Sequence, residues 1–306
     1  MLAKPCGIIF LTTTPWRVPA MPKSLTADQV RHYHENGFHF PVSVLSEAEA
    51  AECRRKLEDF ETSQGGAITG RKKQKLYLLL TWLNDLVRHP AILDAVEDVL
   101  GPDILCWQSS FFTKEPDRKG FVSWHQDATY WGLSSPDVCT AWVAFTPATL
   151  ESGAMKAAPG THKLEQLPHK DTFDPDNLLT RGQELGVDVD EDAAVDMILK
   201  AGEISLHHVM LAHASAPNVT DDRRIGFAIR YIAPHVSQIT GVPDSAMLVR
   251  GEDRYNNFEV ETPPLADLHP DAVALHDRIT ATREAFIYQG TDKGAHRGDG
   301  GVVIDT

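Results

Sequence analysis

The stretch "RRIGFAIRYIA", Arg223 to Ala233, sets Arg224, Gly226, Ala228 and Arg230 on one parity and bulky apolar residues on the other. Successive side chains of a strand point to opposite faces, so this pattern predicts a β-strand with two chemically different sides. Two further stretches share its β-branched and aromatic texture, "ILCWQSSFFTK" (Ile104 to Lys114) and "CTAWVAFTPA" (Cys139 to Ala148). Gly, Pro, Asn and Asp clusters separate the three, which reads as antiparallel β structure.

Upstream of Gly101 the texture is helical. Thr26 to Gln29 and Ser46 to Glu49 both match the capping box, in which side chains satisfy the free amides of a helix start. Helices are expected around 27–36 and 47–62. A third runs from Pro90, suited to a first helical position, to Leu100, with Gly101 ending it. Helices first and strands afterwards, without βαβ alternation, predict a mainly β fold: a sandwich or barrel core buttressed by N-terminal helices. Residues 165–200 are acidic and irregular and read as an insertion between core strands.

The chain has 306 residues, 42% hydrophobic and 24% charged, enough to bury a large core. One domain over 23–288 is expected, with its core at about 103–260, a loose leader over 1–22 and a flexible tail over 289–306. No apolar run approaches the roughly 18 to 20 residues of a membrane span, and "GIIFL" after Lys4 is too short for one. A soluble, cytoplasmic protein is expected. The four cysteines, Cys6, Cys53, Cys106 and Cys139, form no CxxC pair, which fits a reducing compartment. A formal net charge of -14 argues against nucleic acid and anionic membranes as partners. The one dense basic run, "GRKKQK" from Gly70 to Lys75, reads as a solvated loop, with a lid over an anionic group as the sharper alternative.

The chemistry gathers in "SWHQDATYWGL", Ser123 to Leu133, where His125 and Asp127 share one face of a strand. The pair alone is a weak signal and needs a third ligand. His213 is the candidate: apolar residues surround it, and the turn Pro217 to Asp222 leads into the strand that opens with Arg224. Two histidines and a carboxylate form the facial triad of non-haem Fe(II) oxygenases, and an arginine across the hairpin offers a planar fork for a carboxylate. Zinc would accept the same ligands but leave Arg224 without a role. His208 lies five residues before His213, on the opposite face of a regular strand, and reaches the site only through a kink. His162 serves a turn. An inward Arg230 must find an anion or meet a desolvation cost of several kcal/mol, which makes it the first candidate for substrate recognition. Tyr130 and Trp131 follow the His125–Asp127 pair and are candidates for a pocket wall.

Taken together and in order, "WHQDATYW", "ESGAMKAAPGTHK" and "HASAPNVTDDRR", with an arginine eleven residues after the distal histidine, resemble the phytanoyl-CoA dioxygenase family of Fe(II)- and 2-oxoglutarate-dependent oxygenases. The resemblance spans roughly Thr26 to Phe258. It implies a double-stranded β-helix, the cupin-like jelly roll, with helices packed outside. It implies His125, Asp127 and His213 as the catalytic iron ligands, Arg224 as the partner of the distal carboxylate of 2-oxoglutarate, and Ser215, Thr140, Trp142 and Gln108 as further co-substrate contacts. Relatives also use a lysine before the core, which does not align uniquely to Lys72, Lys73 or Lys75. Fe(II), 2-oxoglutarate and O2 are the implied cofactors, and a small metabolite or natural-product intermediate the implied substrate. Asp127 favours hydroxylation over halogenation, since similar halogenases carry a small residue there; desaturation and epoxidation use the same triad. A jelly-roll binding protein without turnover is the competing class.

Overall fold

A computed structural model describes residues 22–287, with side chains to residue 283. Apart from Pro22, the expected leader and the expected tail lie outside the described residues, as does Cys6. The helices are α1 (Ala27–Asn36), α2 (Glu47–Ser63), α3 (Thr81–Val87), α4 (Pro90–Leu100) and α5 (Pro270–Ile287). The strands are β1 (Phe38–Ser43), β2 (Ile104–Lys114), β3 (Val122–His125), β4 (Val138–Ala144), β5 (Met155–Ala157), β6 (His169–Asp171), β7 (Gln183–Leu185), β8 (Val195–Met197), β9 (Glu203–His208), β10 (His213–Ser215), β11 (Arg224–Ile232), β12 (Ser245–Arg250) and β13 (Glu259–Val260).

Both capping boxes form. The Thr26 and Ser46 hydroxyls accept the N–H groups of Gln29 and Glu49, whose side chains reach back to the cap amides. Asp98 of α4 then ties the incoming chain down, accepting the N–H groups of Lys23, Ser24 and Leu25 at 2.6 to 2.8 Å. Two elements lie beyond the helices expected: α3, and α5, which brings Ala272, Val273 and Ile279 into the same core from the far end of the chain.

Seven strands make the large sheet in the order β1-β9-β4-β11-β2-β12-β13, and a smaller sheet runs β3-β10-β5-β8. This is the jelly-roll architecture. The alternation of β11 decides what each face meets. Ile225, Phe227, Ile229 and Tyr231 pack toward the helices, in one cluster with Val30 and Tyr33 of α1, Leu57 and Phe60 of α2 and Ile92 and Val96 of α4. Burying each such side chain contributes roughly 1.5 to 3 kcal/mol. The opposite parity, Arg224, Gly226, Ala228 and Arg230, is buried as well, but inside the barrel. The neighbouring strands follow suit. Cys139, Ala141 and Val143 of β4 and Ile204 and Leu206 of β9 face the helices, while Thr140, Trp142 and His207 face the interior.

The 165–200 segment is more ordered than expected. It contains the β6–β7 hairpin and then β8, which joins the small sheet beside β5. The basic run is not a solvated loop either. Gly70–Lys73 form a 3-10 turn, and Lys75 is fully buried, donating to Ser245 O at 2.8 Å and pairing with Glu261. No helix among the described residues is long and apolar enough to cross a membrane.

Candidate active site

His125 ends β3 and His213 begins β10, and the two are direct partners in the antiparallel register. Their ring centroids lie 4.2 Å apart. Asp127 follows on a 3-10 turn, its Oδ1 3.5 Å from His125 Nε2. One ligating atom from each of the three lies within 4.8 Å of the others, and among the described residues theirs is the one such group of three or more. Backbone carbonyls orient both rings: His125 Nδ1 donates to Ser123 O at 2.9 Å and His213 Nδ1 to Leu211 O at 3.0 Å. A carbonyl only accepts, so each Nδ1 carries the hydrogen and each Nε2 lone pair is left to ligate. Burial keeps His213 neutral, holding its pKa far below the ordinary imidazole value. Burial pushes the Asp127 carboxyl upward, but its close neighbours His125, His213 and the Arg230 guanidinium outweigh it, so the group is held well below the usual carboxylate range. Two imidazoles and a carboxylate are the donor set that Fe(II) and similar divalent ions accept.

Arg224, Ser215, Thr140, Trp142 and Arg230 line the same cavity as these three residues. Arg224 sits where "ESGAMK" turns back. Gly153 adopts a left-handed backbone (φ 73), and a Cβ there would come within 2.2 Å of Ala216 O. The glycine therefore permits the close turn that offers its carbonyl to Arg224 Nη1 at 2.9 Å. Nη2 donates to Phe112 O at 3.2 Å, and the guanidinium lies 5.1 Å over the Trp142 ring. The Trp142 ring has space because it reaches past its register partner Ala228 to lie over Gly226, where a Cβ would sit 1.8 Å from the indole. Arg230 donates to Ser110 Oγ and, at 3.3 Å, to Ala228 O. The Nε atoms of both arginines and the Thr140 hydroxyl are buried without a hydrogen-bond partner. Burial lowers both guanidinium pKa values to about 10. Two buried cations whose hydrogen bonds all go to neutral oxygens suit an anionic ligand.

His207 escaped the sequence reading, which had weighed its neighbour His208. Arg230, Thr140 and His207 form one row across β11, β4 and β9, and His207 Nε2 lies 3.9 Å from the outer oxygen of Asp127. Its signal was its parity, six residues before His213. His208 lies away from the cavity: its Nδ1 accepts the N–H of Met210 at 3.1 Å and its ring packs on His162 at 5.2 Å. Gln108 is buried, donating to Gln74 Oε1 rather than lining the cavity. Tyr130 and Trp131 line an adjacent cavity.

The sequence matches the phytanoyl-CoA dioxygenase family over residues 33–226. The chain belongs to the phytanoyl-CoA dioxygenase family. Among solved structures it is similar to the non-haem monooxygenase ThoJ in its apo form, with 38% identity, a TM-score of 0.77, and 86% of this chain and 98% of that one covered. The nickel complex of ThoJ gives 35% identity and a TM-score of 0.72. It is also similar to the non-haem alpha-ketoglutarate-dependent carbocyclase SnoK from nogalamycin biosynthesis, at 25% identity and a TM-score of 0.58, with 73% and 90% covered. A protein of Stutzerimonas stutzeri named "Probable alpha-ketoglutarate-dependent hypophosphite dioxygenase" is 25% identical over 240 residues, 70% of this chain and 81% of the relative. This member of the phytanoyl-CoA dioxygenase family is an enzyme of the 2-oxoglutarate-dependent non-haem iron dioxygenase class.

Proposed function

We propose that the protein hydroxylates an unactivated C–H bond of a small metabolite or natural-product intermediate in the cytoplasm, converting 2-oxoglutarate to succinate and carbon dioxide. The observation that carries this reading is one buried cavity holding three convergent ligands, His125, Asp127 and His213, together with an arginine, Arg224, that has no anion of its own. In this reading the three residues hold Fe(II), and Arg224 binds the distal carboxylate of 2-oxoglutarate in a slot walled by Ser215, Thr140 and Trp142. Bound there, iron and 2-oxoglutarate supply the oxidising chemistry, with dioxygen as oxidant.

The chain's own contribution is orientation and exclusion of water. The Ser123 and Leu211 carbonyls aim the two imidazoles, and apolar walls from Phe112, Val122, Met155 and Ala228 keep the cavity dry. Arg230 and Trp131 are the proposed substrate contacts, since the guanidinium lies 5.6 Å over the indole on the far side of the cavity from Arg224. Asp127 favours hydroxylation over halogenation, because its carboxylate fills the position that a halide would need.

The test is anaerobic loading with Fe(II) and 2-oxoglutarate, exposure to oxygen, and measurement of succinate across pools of metabolites. Succinate should rise with the matching pool and vanish in His213→Ala and Asp127→Ala variants. Equal succinate from those variants would overturn the assignment, and 2-oxoglutarate binding without succinate from any pool would favour a non-catalytic binding protein.

A further inference from the structure

Beyond Trp131 lies a second, larger cavity of about 200 Å³, bounded by Tyr130 and Trp131, by Gln238 and Asp244 of the β11–β12 connection, and by Arg278 and Arg283 of α5. It adjoins the metal cavity through stacked side chains. Trp131 packs on Trp107 with ring centroids 5.1 Å apart. Arg230, in the metal cavity, lies 5.6 Å over Trp131, and Arg283, in the outer cavity, lies 4.4 Å over Trp107. The 3-10 turn that begins with Asp127 and runs directly into Trp131 therefore serves both cavities.

The polar groups of the outer wall are unevenly satisfied. Asp244 accepts the Trp107 indole N–H at 2.7 Å, Gln238 Nε2 at 3.3 Å and the N–H of Ser245 at 2.9 Å. Glu259 is held bidentately by Arg278. Arg283 is different: its Nε is buried without a partner, and its approach to Asp244, at 3.8 Å, is too long for a hydrogen bond. The chamber thus offers a guanidinium with free donor capacity beside an indole wall. The nearby Asp244 and Glu259 would oppose a dianion more than a monoanion.

We propose that this outer cavity is the substrate chamber, and that it takes a carboxylate-bearing organic molecule with a ring-shaped apolar body. Arg283 holds the carboxylate by charge-assisted hydrogen bonds, the ring lies against Trp131, and the part to be oxidised points past Arg230 toward Asp127. The proposal rests on the oxygenase reading of the metal cavity and adds to it a substrate class and a second recognition residue.

The experiment titrates the full chain, loaded with Mn(II) and without oxygen, with phenylacetate, phenylacetamide and phenyl phosphate, reading tryptophan fluorescence with and without 2-oxoglutarate. Phenylacetate should saturate and bind at least ten-fold tighter than the amide, as expected for one charged hydrogen bond (about 1.5 kcal/mol). Arg283→Gln should remove that preference, and Arg283→Lys should keep part of it. Melting temperatures show whether each variant is folded. Equal binding of acid and amide, tighter binding of phenyl phosphate, an unchanged preference in Arg283→Gln, or no saturable binding would each overturn the proposal. If either arginine variant does not fold, the acid–amide–phosphate comparison on the parent decides alone. Failure of the parent to bind 2-oxoglutarate in the same titration would instead strike the oxygenase reading and leave the acid–amide comparison readable.

Discussion

His169 Nε2 accepts the backbone N–H of Gln126 at 3.0 Å, so the β6 strand grips the one residue that separates His125 from Asp127. The ring's tautomer is set at its other nitrogen, where Nδ1 donates to Leu167 O at 2.8 Å. The Gln126 side chain is fixed in turn, donating to Met210 O and accepting from Leu167 N, both at 2.8 Å. Partners that orient ligands without touching the metal typically matter 10- to 100-fold in metal affinity or activity. His169→Phe keeps the ring but loses the acceptor, and should weaken Mn(II) binding about ten-fold or more in calorimetric titrations, with His169→Gln recovering part of it. Unchanged affinity in the Phe variant would show that the turn holds its shape without the hairpin.

Arg224 has an orphaned Nε and neutral partners for its other donors. Replacing it with Lys keeps the charge and removes the planar fork. The KM for 2-oxoglutarate should rise by about 10- to 100-fold, the equivalent of roughly 1.5 to 3 kcal/mol for a charged hydrogen bond, while metal affinity stays near that of the parent. A KM within two-fold of the parent would remove Arg224 from the co-substrate slot.

Lys75 and Glu261 form a fully buried ion pair, with Tyr77 and Ser245 donating to the same carboxylate at 2.6 Å. The lysine is committed to this network and is not available to a ligand in the metal cavity. Lys75→Met leaves the carboxylate without its counter-ion and should cost about 3 to 5 kcal/mol in urea unfolding. A Lys75→Met, Glu261→Leu double variant should regain much of that loss. Additive losses would show that packing, rather than the unpaired charge, sets the cost.

Acid should destabilise the fold through histidines remote from the metal cavity. Burial lowers the pKa of His34 to about 4 and of His208 to about 3, and it lowers that of His162. His162 Nε2 donates to His34 O at 3.1 Å, and His208 Nδ1 must stay unprotonated to accept the Met210 N–H. With folded values below the unfolded value near 6.5, the unfolded chain takes up protons first. Stability is therefore complete above about pH 6.5 and is lost as pH falls toward about 4, at up to about 1.4 kcal/mol per pH unit for each titrating histidine. Urea midpoints measured from pH 7.5 to 4.5 check this; a flat profile would contradict it.

Much of this site was legible because strands impose parity. Arg224, Gly226, Ala228 and Arg230 share a face because β11 is regular from Arg224 to Arg230, its register against β2 shifting only between Arg230 and Tyr231, and the same rule set His208 aside. What stayed hidden depends on partners distant in the chain. His207 had only its parity to mark it, and its pairing with Thr140 is what places it in the row with Arg230. The hairpin at 169–185 reads as loop because its strands are three residues long and polar. Strand β1 escaped notice because "FHFPVS" carries a proline, which an edge strand tolerates. Helix α5, with Arg283, shows little separation of polar and apolar faces in its sequence, so nothing marked it as a wall of a cavity.

The pairing of His125 with His213 also fixes an order of assembly. The two strands belong to one small sheet but are far apart in the chain, so the ligand set is complete only after His213 has been synthesised and β10 has docked between β3 and β5. A one-residue slip of β10 would turn the His213 ring out of the site. An ion bound by both rings would act as a clasp across the register, favouring the correct alignment over a slipped one.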